Sequence, residues 1–346
     1  MYKLIPPLIT LALLTLSCSS IPQKAEEQYE KGLENFQKKD YKTAAGHFKE
    51  AISAYNEYLD AYYHLAESYY YLENYKKAIE QYTKTLELAT KQGYENGYKN
   101  TYLHLAESYR RTQQYTKARE YYLKVIKQNP EKPNKTALLG MAYSCLKQAD
   151  YDEALRFYNL TLKHYPQNLE AKFGLAQCDF GLGNTDNALK GFRECETLDN
   201  QNPEIPFYHG LALEERNQIA AIQKYNEAIQ KSNDQYPLAY RRLGYLYYQY
   251  YPALSSDKKQ QEKDKKKAIQ YYEKYKKITK TTDEEIEKAL RELKGIRPKP
   301  TKTTASTKIT KKKEIIKVCP LCRKKYGLKT KFCYFDGTLL KKKELP

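Results

Sequence analysis

A short pattern of apolar residues recurs along most of the chain: a tyrosine, an alanine three positions later, and an aromatic residue four positions after the alanine. The first four tyrosines are separated by 34, 40 and 36 residues. Apolar residues within a copy follow the i, i+3, i+4, i+7 spacing of one helix face, which predicts amphipathic helices repeated at a nearly fixed period. The clearest copies are Tyr41/Ala44/Phe48, Tyr75/Ala78/Tyr82, Tyr115/Ala118/Tyr122 and Tyr151/Ala154/Tyr158, and weaker ones are Ala188/Phe192, Ala221/Tyr225 and Ala268/Tyr272.

A second recurring segment precedes this pattern, and residues 64–69 and 104–109 share the sequence HLAESY. A small residue in every copy predicts close helix pairing, so each copy is expected to be a helical hairpin in which the small residue faces the repeated alanine. Helix breaks are expected at Pro130, Pro166 and Pro203, and at Gly93 and Gly97 in an insertion. The small residues are Gly32, Ala66, Ala106, Ala142, Ala176, Gly210 and Gly244.

The period, the small first-helix residue and the Tyr-x-x-Ala pattern with its later aromatic residue resemble the tetratricopeptide repeat family. The resemblance covers residues 25–280 and implies an all-α solenoid of about seven repeats. Residues 281–294, with Ile286, Leu290 and Leu293 on one face, are predicted to form its capping helix. The charged run 258–267 is expected to be an insertion between the two helices of the last repeat.

In this family the first helices line a concave groove that holds a peptide or a partner helix, so the resemblance implies a protein-binding function. A carboxylate clamp is not expected, because Tyr29 and Leu33 occupy two positions where it needs Lys and Asn. The alternative for each groove residue is packing between repeats. The predicted groove residues are Tyr63, Glu67, Tyr70, Tyr71, Leu103, Glu107, Arg110, Arg111, Tyr143, Lys147, Phe173, Gln177, Arg241, Tyr245 and Tyr248.

The first 17 residues have the layout of a secretory signal peptide, with Lys3 before a short apolar stretch that is too short to span a bilayer. The sequence LTLSCSS resembles a bacterial lipobox, although Thr15 lies where the strict pattern has a larger apolar residue. The resemblance implies lipidation of Cys18, a tether over 18–24 and a lipoprotein of the inner or outer membrane. An uncleaved anchor or a different start site, with Cys18 an ordinary cysteine, is the alternative.

The net charge of +18 is concentrated at the C-terminal end, since residues 295–346 carry +13 and the remaining chain carries +5. The body of the protein therefore lacks the charge typical of a nucleic-acid-binding domain. The basic tail favours an anionic lipid or cell-wall surface, or is simply solvated. Nucleic acid is the other candidate partner of the tail, and export would exclude it.

Two cysteine-containing segments follow a Pro-, Thr- and Lys-rich linker over 295–317. Cys319 and Cys322 form one pair, and Cys333 with Asp336 has the same spacing ten residues later. This arrangement resembles small bacterial zinc ribbons that end in Cys-x-x-Asp-Gly-Thr, and it implies a structural zinc ion in a module over 318–346. A Cys319–Cys322 disulfide that leaves Cys333 unpaired, or a metal-free tail, is the alternative.

Catalytic motifs are missing from the sequence: it has no phosphate-binding glycine loop, no His-Glu-x-x-His and no nucleophile elbow. We therefore expect no enzymatic activity, and we expect Cys145, Cys178 and Cys195 to be buried apolar residues. The sequence predicts a membrane-anchored scaffold of the bacterial envelope that binds a protein partner. The alternative is a cytoplasmic or inner-membrane adaptor whose zinc ribbon and basic tail bind nucleic acid or a regulatory protein.

Overall fold

The computed structural model describes residues 21–94, 98, 100–250, 256–296, 315–318, 325–326 and 341–344. Contacts divide the chain into two compact units, Met1–Thr112 and Gln113–Pro346. The helices of the first unit are α1 (Gln23–Gln37), α2 (Tyr41–Ala54), α3 (Leu59–Tyr71), α4 (Tyr75–Gln92) and α5 (Thr101–Arg111).

The second unit continues with helices of similar length and a π-helical segment, Leu246–Tyr250, that follows α13 directly. Its helices are α6 (Tyr115–Gln128), α7 (Lys135–Lys147), α8 (Tyr151–His164), α9 (Leu169–Leu182), α10 (Thr185–Leu198), α11 (Glu204–Leu213), α12 (Gln218–Lys231), α13 (Pro237–Tyr245), α14 (Lys258–Thr279) and α15 (Glu284–Leu293). Helices that follow one another within a unit pack together, and the helices end where the sequence predicts breaks, as α6 does before Pro130.

Tight turns join the two helices of several repeats, and the backbone of these turns passes through the left-handed region. The residues there are Lys39, Glu73 and Ala149, with φ of 61°, 57° and 58°. A polar residue after the turn caps the next helix: the Asp40 carboxylate accepts a hydrogen bond from the Thr43 N–H at 3.1 Å. A three-residue reversal of this kind makes neighbouring helices run in opposite directions.

Aromatic rings from the second helices fill the space above the glycines of the first helices. A Cβ atom on Gly32 would lie 2.5 Å from the Phe48 ring, and one on Gly174 would lie 2.2 Å from Cζ of Tyr158. The small residue was expected to face an alanine, but at the glycines it faces a ring. The alanines of the pattern, Ala44 and Ala154 among them, are fully buried elsewhere in the helix interface.

The charged run 258–267 belongs to α14 and is not an insertion before it, which corrects the sequence prediction. It starts at Lys258 after the Asp257 cap, whose carboxylate accepts from the Lys259 N–H at 2.9 Å. The face of α14 that contains Asp264, Ala268 and Tyr272 is buried, and the helix packs mainly against α13 of the same repeat. The last repeat therefore has a second helix of 22 residues.

Three short strands lie near the C-terminal end: β1 (Ile315–Val318), β2 (Lys325–Tyr326) and β3 (Lys341–Glu344). They form an antiparallel sheet in the order β2-β1-β3. Val318 pairs with Lys325 on one side and with Lys341 on the other. Strand β1 therefore lies between β2 and β3.

Candidate functional site

A cleft of about 390 Å³ opens on the second unit where the first helices of three successive repeats come together. Four of the predicted groove residues, Tyr143, Lys147, Phe173 and Gln177, are among its lining residues. The structure thus brings residues 30 positions apart in sequence to one site. The remaining lining residues are Tyr158, Leu169, Glu170, Asn202, Glu204, Ile205 and Tyr208.

The floor of the cleft is aromatic. Phe173 is only 8% exposed, and its ring packs edge-on against Phe192 at 5.8 Å and against Tyr208 at 5.6 Å between centroids. Tyr158 reaches the same floor from α8 through the space left by Gly174. Burial raises the pKa of Tyr158 well above its ordinary value, so its hydroxyl stays protonated. The floor offers a neutral, apolar surface.

Polar side chains rise from both sides of this floor. Lys147 lies over the Tyr143 ring at 5.2 Å and makes no ion pair among the described residues. Glu204 stands across the cleft at the start of α11, where its N–H donates to Asn202 Oδ1 at 2.9 Å. An apolar floor between a cation, two amides and two carboxylates suits a peptide segment better than a small apolar ligand.

The predicted groove residues of the first unit form an aromatic cluster on α3. Tyr63 packs against Tyr82 and is half-buried, and burial raises its pKa to about 12, with a further contribution from the Glu67 charge. Tyr70 stacks on His104 at 4.9 Å, whereas Tyr71 is 46% exposed. Tyr71 therefore offers the most accessible aromatic surface of this group.

Glu67 itself is buried, and its carboxylate joins two repeats. It accepts a hydrogen bond from the Tyr82 hydroxyl at 2.6 Å and another from His104 Nδ1. Glu214 in the second unit has the same two kinds of partner, the Tyr225 hydroxyl at 2.5 Å and the Arg242 guanidinium. The structure therefore gives Glu67 a role within the protein: it ties a first helix to its own second helix and to the next repeat.

The predicted groove residues of α5 differ in their exposure to solvent. Glu107 is buried and forms an ion pair with Arg110 at 2.7 Å. Leu103 is half-buried, and Arg111 is exposed with its guanidinium 5.8 Å from the centre of the Tyr75 ring. Among these four residues, Arg111 alone is fully on the surface.

The predicted groove residues of the last repeat contact α15. Arg241 is buried and pairs with Asp283 at 2.8 Å, and the Tyr248 hydroxyl donates to Glu292. Tyr245 lies beside the Arg242 guanidinium at 5.0 Å. The terminal helix thus holds Arg241 and Tyr248 in contacts within the protein.

Two sequence models, both described as tetratricopeptide repeat, match the chain that forms these sites. One matches residues 57–131 and 100–167, and the other matches residues 145–205. Together the matches cover residues 57–205, which include α7 and α9 on two sides of the cleft.

Solved structures extend the likeness in fold to most of the chain. A tetratricopeptide repeat protein from Parabacteroides merdae has a TM-score of 0.60 at 17% identity, over 79% of this chain and 99% of that one. A chain of the APC/C hetero-tetramer Cut9–Hcn1 has a TM-score of 0.50 at 15% identity, over 74% of this chain and 47% of that one. No curated protein sequence matches significantly. The prediction of an all-α tetratricopeptide repeat array is confirmed.

Residues of α11 were missed as site residues by sequence reasoning. Tyr208, Glu204 and Asn202 complete the cleft, but the sixth repeat is shortened, so that its groove positions do not align with those of the other repeats. The sequence feature that could have indicated this part of the cleft is the pair Phe207-Tyr208 just before Gly210. The structure shows that Tyr208 contacts the floor residue Phe173.

The predicted lipidation site and zinc ligands, Cys18, Cys319, Cys322, Cys333 and Asp336, lie outside the described residues. Within the described part of the chain no group of His, Cys, Asp and Glu is arranged to hold a metal ion. That part also contains no helix with the length and apolar character needed to cross a membrane.

The cysteines of the repeats are buried, as the sequence predicts. Burial raises the pKa of the Cys145 and Cys178 thiols to about 12 and that of Cys195 to about 11. All three are therefore protonated thiols at neutral pH, a form that neither binds zinc nor acts as a nucleophile.

Proposed function

We propose that the protein is a non-enzymatic scaffold whose tetratricopeptide repeats bind a segment of a partner protein. The observation that carries the proposal is the cleft of the second unit, where Tyr143, Lys147, Phe173 and Gln177 surround one aromatic floor. A scaffold needs a surface that recognises extended chain, and three adjacent first helices provide one.

The chemistry of the cleft indicates which segment fits. An apolar side chain of the partner packs on Phe173 and Tyr208, and the Gln177 amide bonds to the backbone of the partner. Lys147 has no acidic partner among the described residues, so it is available for a carboxylate of the bound segment. The preferred ligand is a short peptide with an apolar residue next to an acidic one.

A random peptide library displayed on phage provides the probe for this site. Peptides selected on the full-length protein are expected to combine an aromatic or branched apolar residue with Asp or Glu. Lys147→Glu should weaken the binding of the selected peptides by roughly 10-fold or more, because a like charge replaces the partner of their carboxylate. Fluorescence anisotropy with labelled peptides measures the change.

Lys163→Glu is the matched control, since Lys163 is exposed on the second helix α8 and the total charge changes equally. Binding to this variant should equal binding to the wild type. Gln177→Ala tests the amide separately. Equal weakening by Lys147→Glu and Lys163→Glu, or peptides that bind Lys147→Glu as tightly as the wild type, would contradict the proposed site.

We further propose that the scaffold is anchored in the bacterial envelope by lipid on Cys18. The support is the lipobox resemblance around Cys18, with Lys3 and a short apolar segment before it. A triacylated cysteine would hold the protein firmly, whereas one acyl chain binds a bilayer only marginally. The basic tail adds attraction to an anionic surface in this arrangement.

A structural zinc ion in the C-terminal module is the last part of the proposal. The donor set of three thiolates and one carboxylate suits zinc, since tetrahedral sites with sulfur ligands select this ion. Strands β1 and β2 pair at Val318↔Lys325, and Cys319 and Cys322 lie between these two residues in the sequence. Cys319 and Cys322 would supply one pair of ligands, and Cys333 with Asp336 the other.

A further inference from the structure

A second surface, separate from the cleft, lies on α14. The lysines at positions 259, 263, 266, 274 and 277 are all exposed, and we call them the lysine stripe. Their spacing of four, three, eight and three residues keeps them on one side of a helix with 3.6 residues per turn. The stripe extends for about 27 Å at 1.5 Å per residue.

The stripe is fixed in orientation by the opposite face of the same helix. Asp264, Ala268, Tyr272 and Tyr275 are buried, and the helix packs against α13 and α15. Because these residues lie about half a turn from the lysines, the five ammonium groups point away from the core. The charge pattern therefore belongs to a packed helix of the array.

The two exposed glutamates of α14 are paired with lysines outside the stripe. Glu262 contacts Lys265 at 3.7 Å, and Glu273 contacts Lys294 at 2.6 Å. None of the five stripe lysines makes an ion pair with any residue that the structure describes. Lysines three and four positions apart repel one another, so this face is electrostatically unfavourable until an anionic partner covers it.

We propose that the lysine stripe rests on the headgroups of an anionic phospholipid bilayer. A straight row of ammonium groups on a protruding helix face matches a flat surface. The gaps between the lysines are uneven, about 6, 4.5, 12 and 4.5 Å along the helix axis. Diffusing lipid headgroups adjust to such gaps, whereas the phosphates of a nucleic acid strand are fixed about 3.4 Å apart along the duplex axis.

The composition of the face also favours lipid over nucleic acid. The stripe contains no arginine and no aromatic side chain, and the exposed residues between Lys266 and Lys274 are Lys267, Gln270 and Glu273. Arginine guanidinium groups form hydrogen bonds with base edges, and aromatic side chains stack on bases. Point charges alone are enough for headgroup phosphates.

Co-sedimentation of the full-length protein with vesicles tests the proposal. The probe is a vesicle of about 30 mol% phosphatidylglycerol in phosphatidylcholine at about 0.1 M salt, compared with pure phosphatidylcholine. Replacing all five stripe lysines with Gln should lower the partition coefficient by roughly 3,000-fold, since each lysine near an anionic surface contributes a factor of about five. Gln preserves helix propensity, and circular dichroism checks the fold of the variant.

The matched control replaces Lys76, Lys127, Lys132, Lys163 and Lys190 with Gln, because these exposed lysines lie on other helices and turns and the charge change is identical. This control should bind nearly as well as the wild type. Equal losses in both variants would assign binding to net charge, and absence of wild-type binding to the anionic vesicles would also overturn the proposal. So would a stripe variant that loses retention on duplex DNA but keeps its vesicle binding, since the partner would then be nucleic acid.

Discussion

Two glycines of the second unit lie where the packing leaves no space for a Cβ atom. A Cβ atom on Gly140 would lie 2.2 Å from Cζ of Tyr122, and one on Gly174 would lie 2.2 Å from Cζ of Tyr158. Both tyrosines are almost fully buried, so their rings have no space into which to move. The glycines leave space for the two tyrosine rings, which pack between successive repeats.

Gly174→Ala is therefore expected to destabilise the protein by about 2 kcal/mol, because overpacking exceeds the gain in helix propensity. For a unit of this size the melting temperature should fall by roughly 4–8 °C. Gly46→Ala is the control: Gly46 lies on α2 with open space around it. That variant should melt at the same temperature or slightly higher. Calorimetry measures both, and a stabilised Gly174→Ala protein would contradict the packing described.

At the scale of elements, α15 closes the second unit through one aspartate with two roles. The Asp283 carboxylate caps α15 by accepting from the Glu285 and Ile286 N–H groups at 3.2 and 3.4 Å. It also pairs with the buried Arg241 at 2.8 Å. The end of the array thus depends on a contact between the last repeat and the helix that follows it.

Asp283→Ala should destabilise the second unit by about 2–3 kcal/mol, since it removes the cap and leaves the Arg241 charge without its carboxylate. Asp283→Ser keeps a capping oxygen and should recover about 1 kcal/mol of that loss. Hydrogen exchange in α13 and α15 measures the effect by segment.

Asp186→Ala provides the reference for an exposed pair, because Asp186 contacts Arg216 at the surface. Exchange in this variant should match the wild type. If Asp283→Ala exchanges no faster than Asp186→Ala, the contact with Arg241 does not hold the end of the array.

For the whole molecule, three proposed contacts act on different partners: the cleft on a peptide, the lysine stripe on a bilayer, and Cys18 on the membrane through its lipid. The cleft and the stripe are both built by the repeats of the second unit. The proposed lipid depends on Cys18, and the proposed zinc ion depends on the C-terminal cysteines. Measurement of the mass of the protein tests both proposals.

Mass spectrometry of the protein from its native membrane fraction is expected to show a chain that starts at Cys18 with added acyl mass. Cys18→Ala should lack that mass, because no thiol remains to accept the lipid. Native spectra should show one zinc ion that Cys319→Ser loses and Cys145→Ser keeps, since Cys145 is a buried, protonated thiol.

An uncleaved chain in the soluble fraction would contradict envelope anchoring. It would favour the adaptor whose zinc ribbon and tail bind nucleic acid or a regulatory protein. The same mass in the presence and absence of a chelator would exclude the zinc site.

The helical repeats follow from the sequence pattern alone. The pattern of Tyr75, Ala78 and Tyr82 sets one buried helix face in every copy, and helix periodicity is a local property that needs no knowledge of distant residues. Four cleft residues, Tyr143, Lys147, Phe173 and Gln177, were also predictable because repeat copies place equivalent positions on equivalent helices.

Which of the predicted residues remain available to a partner depends on how distant segments pack in the folded protein. Glu67 and Arg241 occupy predicted groove positions, as Lys147 does. However, Glu67 is buried beside Tyr82, and Arg241 is buried beside Asp283, which lies 42 residues after it in the sequence. The lysine stripe likewise depends on where α14 starts and on which face it buries. Availability follows from packing between distant segments, and periodicity along the chain carries no information about it.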